Sequence, residues 1–256
     1  MLRTLWTSKA GMNANQERLD VISNNISNVN TTGYKKVEVG FKDLLSESLD
    51  ILGTPLNAKD SVIGTGVKTS EWFRSNIQGS LIQTAISTDI AIDGEGYFRI
   101  TSADGEALYT RNGSFKLDAE GKLVDSNGNR LYLHYVNGYS ENNLKLSTNN
   151  LLINNLGEVF VRENGNSVKV AEIPLYVGIG DNALVSVGNS LYSQSNEGTM
   201  YRTTDNNLYQ GYIENSNVDI AEEFSDMIIT QRAFQLSSKG ITVADEMWGM
   251  VNNLRR

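Results

Sequence analysis

"NNISNVNTTGYKK", residues 24–36, ends a stretch of helical periodicity with four asparagines in seven positions: Asn24, Asn25, Asn28 and Asn30. Asn is a weak helix former, because its amide competes for backbone hydrogen bonds. Ile22, Ile26 and Val29 nevertheless continue an apolar stripe through the same residues, which puts Asn25 and Asn28 on the opposite side of one helix. Two readings follow. The amides bond across a helix–helix contact and fix its register, as a buried Asn does in a coiled coil, or they merely fray the helix end. Gly33 then falls at or near the position where a positive φ stops a helix, and Lys35 and Lys36 follow it.

Working back to the N-terminus, a heptad with Leu2 at position a places Leu5, Met12, Leu19 and Ile26 at d. Three of the four a positions, Lys9, Gln16 and Ser23, are polar, so this is half of a coiled-coil seam. The c and f positions are Thr4, Thr7, Gly11, Ala14, Arg18, Val21, Asn25 and Asn28, with one charge among them. A water-facing side would be rich in Lys and Glu. Small residues here predict close approach by another backbone, and Gly11 inside a helix costs ~1 kcal/mol relative to Ala unless packing requires it.

The C-terminal end is helical by the same criterion over 218–254, and it is apolar on two sides. One seam reads Ile220, Phe224, Met227, Gln231, Phe234, Ser238, Ile241, Asp245 and Trp248; a second reads Ile229, Ala233, Leu236, Gly240, Val243, Met247, Met250 and Leu254. Such a helix must be covered on two sides. Residues 1–36 carry five basic and two acidic groups, a net +3, and residues 214–256 carry four basic and seven acidic groups, a net −3. Opposite charges favour pairing of the two ends, weakly.

Between the ends, "FKLDAEGKLVDSNGNRLYL" (115–133) and "LLINNLGEVFVRENGNSVKVAEI" (151–173) alternate short apolar runs with Gly- and Asn-bearing turns, the pattern of hairpins. The expected fold class is therefore α+β: N- and C-terminal helices paired as a coiled-coil-like domain, with an all-β domain, a barrel or sandwich, inserted between them. The expected bounds are 1–36 with 214–256 for the helical assembly domain, 37–65 for an extended or mixed connector, and 66–213 for the β domain.

The bulk numbers remove several functions. The chain of 256 residues has no cysteine, which excludes disulfides, thiolate zinc sites and a Cys nucleophile. A net charge of −8 argues against nucleic acid as a partner. No apolar stretch approaches the ~18 residues of a membrane span, and the N-terminus lacks the apolar block of a cleaved signal peptide. His134 alternates within a strand and reads as structural or solvent-facing. Asp89, Asp93 and Glu95 offer carboxylates for glycoside chemistry but sit in a turn pattern. "DSNGN" (125–129) is a poor calcium loop, with its Gly misplaced and Val136 where a Glu ligand belongs. No catalytic, metal or cofactor site is expected. Tyr97, Tyr109 and Tyr132 leave open a carbohydrate-binding or adhesive β module.

"NISNVNTTGY" (25–34) resembles the N-terminal signature of flagellar rod and hook proteins, with Asn25, Ile26, Ser27, Asn28, Thr31, Gly33 and Tyr34 filling it. "GTGVKTSEWFRSNIQGSLIQTAISTDIAIDGEGYFRI" with "LYTRNGSFKLDAEGKLVDSNGNRL" is similar to the family's central β region, and "LYQGYIENSNVDIAEEFSDMIITQRAFQLSSKGITVADEMWGMVNNL" to its C-terminal helix. Gly240 and Trp248 depart from the family pattern. Length and the 210–234 run are most like the distal-rod members; a proximal rod paralogue shares the end motifs. The resemblance implies a structural subunit, not an enzyme. It would be exported without a cleaved signal peptide by the flagellar type III apparatus and assembled in the cell envelope into a helical tube carrying torque from motor to hook. Its partners would be further copies of itself, other rod proteins, the hook protein and surrounding ring or bushing proteins. The positions expected at assembly contacts are Leu2, Leu5, Gly11, Met12, Ala14, Leu19, Ile22, Asn25, Ile26, Asn28, Thr31, Gly33 and Tyr34 at the N-terminal end. At the C-terminal end they are Phe224, Met227, Ile228, Gln231, Phe234, Ile241, Met247, Val251 and Leu254.

Overall fold

The computed structural model describes residues 2–44, 46–48, 62–136, 138–141, 143–163, 166–180, 183–196, 198–204 and 206–254. Two compact units divide the chain. Unit 1 comprises 1–27, 36–75 and 218–256; unit 2 comprises 28–35 and 76–217. The middle of the expected connector, 49–61, lies outside the described residues.

Unit 1 holds helix α1 (Leu2–Ser27), strands β1 (Val37–Asp43), β2 (Ser46–Ser48), β3 (Val62–Gly64) and β4 (Val67–Arg74), and helix α2 (Ile220–Leu254). Asp219 caps α2, its carboxylate accepting the amides of Ala221 at 2.8 Å and Glu222 at 3.3 Å, and Glu222 and Glu223 favour the positive end of the helix dipole. β1 and β4 form an antiparallel ribbon with a bulge between Val39 and Phe41. Arg18 on α1 lies 5.7 Å from the Phe41 ring, and Glu17 accepts a hydrogen bond from Thr69. These ties hold the ribbon to α1, and β4 falls in the helical unit, whereas the expected bounds began the β domain at 66.

The two helices run antiparallel, because the partners descend along α2 as they ascend along α1. Gly240 faces Ser8, Gly11 faces Ser237, Arg18 bonds Asp226, and Asn25 bonds Glu223. A Cβ on Gly240 would come within 2.4 Å of the Ser8 hydroxyl, and one on Gly11 within 3.3 Å of the Ser237 hydroxyl. The seam is therefore the expected back of α1: Thr7, Gly11, Ala14, Arg18, Val21 and Asn25 are buried or half-buried along it. The Leu5–Met12–Leu19–Ile26 row is only half-buried, and the Leu2 side chain lies outside the described residues. Small residues won this seam because they let the two backbones come closest.

Unit 2 is all-β. Its strands are β5 (Leu81–Gln83), β6 (Ile90–Asp93), β7 (Tyr97–Thr101), β8 (Ala107–Thr110), β9 (Lys116–Leu117), β10 (Leu123–Val124) and β11 (Arg130–Leu131). β12 (His134–Tyr135), β13 (Leu151–Ile153), β14 (Glu158–Glu163), β15 (Asn166–Glu172) and β16 (Leu175–Ile179) follow. β17 (Leu184–Gly188), β18 (Leu191–Gln194), β19 (Thr199–Thr203), β20 (Asn207–Gln210) and β21 (Tyr212–Glu214) complete it. A nine-stranded sheet runs β17-β18-β8-β7-β11-β10-β9, with β16 joining β7 and β19. A second sheet runs β12-β15-β14-β13, and β20 and β21 pair with β6 and β5. One core unites them: Phe98, Ile100 and Leu108 from the large sheet meet Leu151, Val159 and Val170 from the second, with Ile90, Ile92 and Leu208 between. Phe98 and Phe115 meet edge to face at 5.4 Å.

The predicted hairpins form, and one turn recurs in them. In "DAEGK", "DSNGN" and "NNLGE" the leading Asp118, Asp125 or Asn154 accepts two backbone amides of its own loop, and Gly121, Gly128 and Gly157 take φ of 78°, 84° and 79°. The calcium-like spacing of 125–129 is thus an Asx turn whose carboxylate is occupied by N–H groups.

Gly33 does not cap α1, which ends at Ser27, six residues earlier. Its φ of +67° serves unit 2. Its amide donates to the Glu214 carbonyl at 2.8 Å, and a Cβ there would sit 2.5 Å from the Asn112 nitrogen. Gly33→Ala should therefore destabilise unit 2 by more than ~1 kcal/mol, read as a lower urea midpoint by tyrosine fluorescence; an unchanged midpoint would contradict this close approach.

Candidate assembly surface

α2 has a seven-residue repeat turned inward: Glu223, Thr230, Ser237 and Ala244, flanked by Asp226, Ala233, Gly240 and Met247. Thr230 and Ala244 are fully buried. Met247 apart, these residues are small or polar, and most of the large side chains point elsewhere. Ile220, Phe224, Ile228, Ile229, Leu236, Val243, Trp248, Met250, Val251 and Leu254 are all exposed, Leu236 at 69% and Leu254 at 88%. A row of this length on one helix exceeds what a lone soluble subunit normally shows.

The expected contact positions separate accordingly. Ala14, Ile22 and Asn25 are buried within unit 1, and Gly11 is taken up by Ser237 of the same chain. Met227, Phe234, Ile241 and Met247 are half-buried. Phe224, Ile228, Gln231, Val251 and Leu254 are open. Thr31 donates from its hydroxyl to Asn28 at 3.2 Å, and the Tyr34 amide donates to the Thr31 carbonyl at 3.3 Å, both within unit 2.

Asn25 answers the question raised by its neighbours. It is 1% exposed. Its amide nitrogen donates to the Val37 carbonyl at 2.9 Å, its oxygen accepts the Val37 amide at 3.0 Å, and the nitrogen also donates to Glu223 at 3.2 Å. The side chain thus imitates a strand partner for β1 and ties α1 to α2. Glu223 is shared with the Lys36 ammonium at 3.0 Å, and Lys36 reaches Glu222 at 3.3 Å. Burial works against the Lys36 charge, but hydrogen bonds and attraction from Glu223, then Glu222, outweigh it and hold its pKa above the ordinary lysine value.

Lys35, one residue earlier, serves unit 2. Its ammonium meets Glu214 at 2.7 Å and the Ile77 carbonyl at 2.8 Å. The other Glu214 oxygen receives Arg111, whose guanidinium also donates to the carbonyls of Ile92, Gly94 and Gly96. All three side chains are 3% exposed or less. Burial, reinforced by the Arg111 cation, lowers the Lys35 pKa, with Glu214 opposing both. Two cations share one carboxylate, and backbone carbonyls take up further N–H groups of both, which makes a buried ionic cluster tolerable. Sequence reading missed Arg111, Glu214 and Glu223; the adjacent lysines were the visible trace of their partners.

The alternative sites dissolve into structure. His134 is exposed on β12. Asp89 is buried, accepting the Thr84 hydroxyl at 2.6 Å, and Asp93 accepts the Gln78 amide at 3.3 Å. The two carboxylates are thus taken up by different partners on the 78–84 stretch. Glu95 is exposed. Among the described residues, no helix is long and apolar enough to cross a membrane.

Sequence comparisons agree along the whole length. Residues 5–35 match the "Flagella basal body rod protein" family, 91–170 the "Flagellar hook protein FlgE/F/G D1 domain", and 209–254 the "Flagellar basal body rod FlgEFG protein C-terminal". The chain is 35% identical over 269 residues to the flagellar basal-body rod protein FlgG of Borreliella burgdorferi, covering 100% of both chains. It is 36% identical over 274 residues to FlgG of Bacillus subtilis, again covering 100% of both. The flagellar hook-basal body complex protein FlhP of Bacillus subtilis is 31% identical over 278 residues, with the same full coverage.

A raised folded-state pKa means that Lys36 contributes stability in full below the unfolded lysine value and loses it as pH climbs through the raised one. The excess thermal stability of the wild type over Lys36→Gln should therefore be constant up to about pH 10 and shrink above it. A gap that is unchanged or wider at more alkaline pH would refute the role given to Glu223.

Proposed function

We propose, because the chain belongs to the family of flagellar basal-body rod proteins and is a structural subunit of that rod, that it builds the distal rod through the exposed face of α2. The observation that carries this is the inversion of the helix pair: small residues inside, large apolar residues outside. A row of exposed Ile, Leu, Phe, Val and Met on a 35-residue helix is satisfied by neighbouring copies. Head-to-tail contacts of that kind do not close on themselves, so they extend into a helical tube. The helical unit is the self-assembly domain, in which α1 and α2 pair in the manner of a coiled coil. Asn25, Ala14, Ile22 and Gly11 shape that pair, while Phe224, Ile228, Leu236, Val251 and Leu254 make the contact with other copies. Full-length similarity to proteins named FlgG supports the distal assignment. In that role the partners are itself, other rod proteins and the hook protein, delivered by the flagellar export apparatus to the basal body in the cell envelope, and the work is mechanical transmission of torque, without catalysis.

Leu236→Glu is the decisive variant. In the separate subunit the side chain is exposed, so helix content and melting temperature should stay close to wild type. In a packed tube an unpaired carboxylate would be buried at a cost of several kcal/mol, and motility and sedimentable assembly should be lost. Normal motility with this change would refute the surface. Electron microscopy of hook–basal bodies from cells lacking the gene tests position: a rod truncated before its distal part, without hook, is expected, and loss from nearer the base would reassign the chain to the proximal rod.

A further inference from the structure

Strand alternation gives the nine-stranded sheet two sides. Phe98 and Ile100 of β7 enter the core; Tyr97 and Arg99 lie on the other side. There Arg99 pairs across to Tyr109 on β8, Tyr109 to Tyr192 on β18, and the Tyr132 amide donates to the Arg99 carbonyl at 2.9 Å. One row thus reads Tyr192, Tyr109, Arg99, Tyr132. Tyr176 on β16 stands beside it, 5.7 Å from Tyr109. The guanidinium lies 4.4 Å from the Tyr132 ring and 6.0 Å from the Tyr176 ring.

This arginine has its ring contacts but, among the described residues, no acid. Cation–π contacts engage the faces of the guanidinium and leave its in-plane N–H groups needing acceptors. Among the described residues, Arg99 Nε is the buried side-chain nitrogen with no hydrogen-bond partner. The contrast within unit 2 is plain, since buried Lys35 and Arg111 share Glu214. Arg99 itself is half-buried. With Nε enclosed, its exposure lies further out on the side chain, where a carboxylate would meet the Nη amines. A planar, oriented and unpaired guanidinium suits a carboxylate.

The source of that carboxylate is argued from charge and topology. The chain carries 30 acidic against 22 basic side chains, so another copy is itself an acidic ligand. The β7–β8 turn, "SADGE" at 102–106, projects exposed Asp104 and Glu106. The turn is held by its own backbone, the Ser102 amide donating to the Glu106 carbonyl at 2.9 Å, and among the described residues no ion pair engages either carboxylate. Tyr109 and Tyr192 are buried within the chain, so Arg99, half-buried, is the part of this row a second copy would reach; a site and an acidic tip on the same pair of strands would make a heterologous contact, which propagates. We propose that Arg99 is a carboxylate-binding site, filled in the assembled protein by Asp104 or Glu106 of a second copy. This rests on the reading of the chain as a self-assembling subunit.

The test is a charge exchange in full-length protein, with assembly followed by sedimentation and folding checked by circular dichroism. Arg99→Glu, and separately Asp104→Lys with Glu106→Lys, should each raise the concentration needed for assembly roughly tenfold; the chain carrying all three changes should return towards wild type. Assembly of Arg99→Glu at the wild-type concentration, or no recovery in the combined chain, overturns the proposal and leaves the rod reading standing. A wild-type chain that does not assemble overturns both. Because the chain has no cysteine, single-cysteine chains give a second measurement that tolerates mild misfolding. Arg99→Cys mixed with Glu106→Cys should form a disulfide-linked pair on oxidation of assemblies, and its absence counts against the contact.

Discussion

Close approach of α1 and α2 is the constraint from which the rest of unit 1 follows. Two long helices whose backbones nearly touch must line the contact with Gly, Ser, Ala and Thr, and Gly11, Ser237, Gly240, Ser8, Ala14, Thr230 and Ala244 do so. Such a seam buries little apolar area, so hydrophobic burial alone holds it weakly. The missing specificity is supplied by polar ties at one end, where Asn25, Glu223 and Lys36 interlock. The large side chains displaced from the seam become the outward surface. Stability of the pair is thereby traded for an apolar exterior.

The dipeptide Lys35–Lys36 marks the chain boundary between the two units, and each unit anchors its own lysine. The environments differ in kind. Lys36 keeps partial access to water and two acids, and its charge is favoured. Lys35 is enclosed with Arg111 around one carboxylate, and its charge is disfavoured by burial yet held by geometry. Neighbours in sequence thus titrate in opposite directions, and the cause is the burial of each and the number of acids it meets.

Much of this was legible in the sequence. Helix at both ends, strands between, and the Asx–Gly turns all followed from period and turn chemistry, because those signals are local. The small residue at Gly11 was visible too, with its need for a close neighbour, whereas Gly240 stood out only as a departure from the family pattern and its approach to Ser8 came from the structure. The heptad misled on which side meets α2: Leu5, Met12, Leu19 and Ile26 looked like the seam, since hydrophobicity ordinarily decides the inner face. Here it decides the outer one, which a single-chain rule cannot anticipate. Gly33 was mistaken for a helix stop because positive φ serves either purpose, and its partner Asn112 is distant in sequence. Glu214 and Arg111 were invisible for the same reason, as a buried ion pair has no periodicity to announce it.

The closing strands of unit 2 carry a kinetic consequence. Most of its hairpins join strands a few residues apart, so they can form quickly and locally. β20 and β21 instead pair with β6 and β5, joining Leu208 to Ile92 and Ile213 to Ile82. Those contacts span more than a hundred residues and bear the loop-closure entropy that slows folding. A chain delivered from its N-terminus would hold these two seams open until nearly its whole length had arrived. Completion of the β unit is then a molecular clock that strikes only when α2 is about to appear.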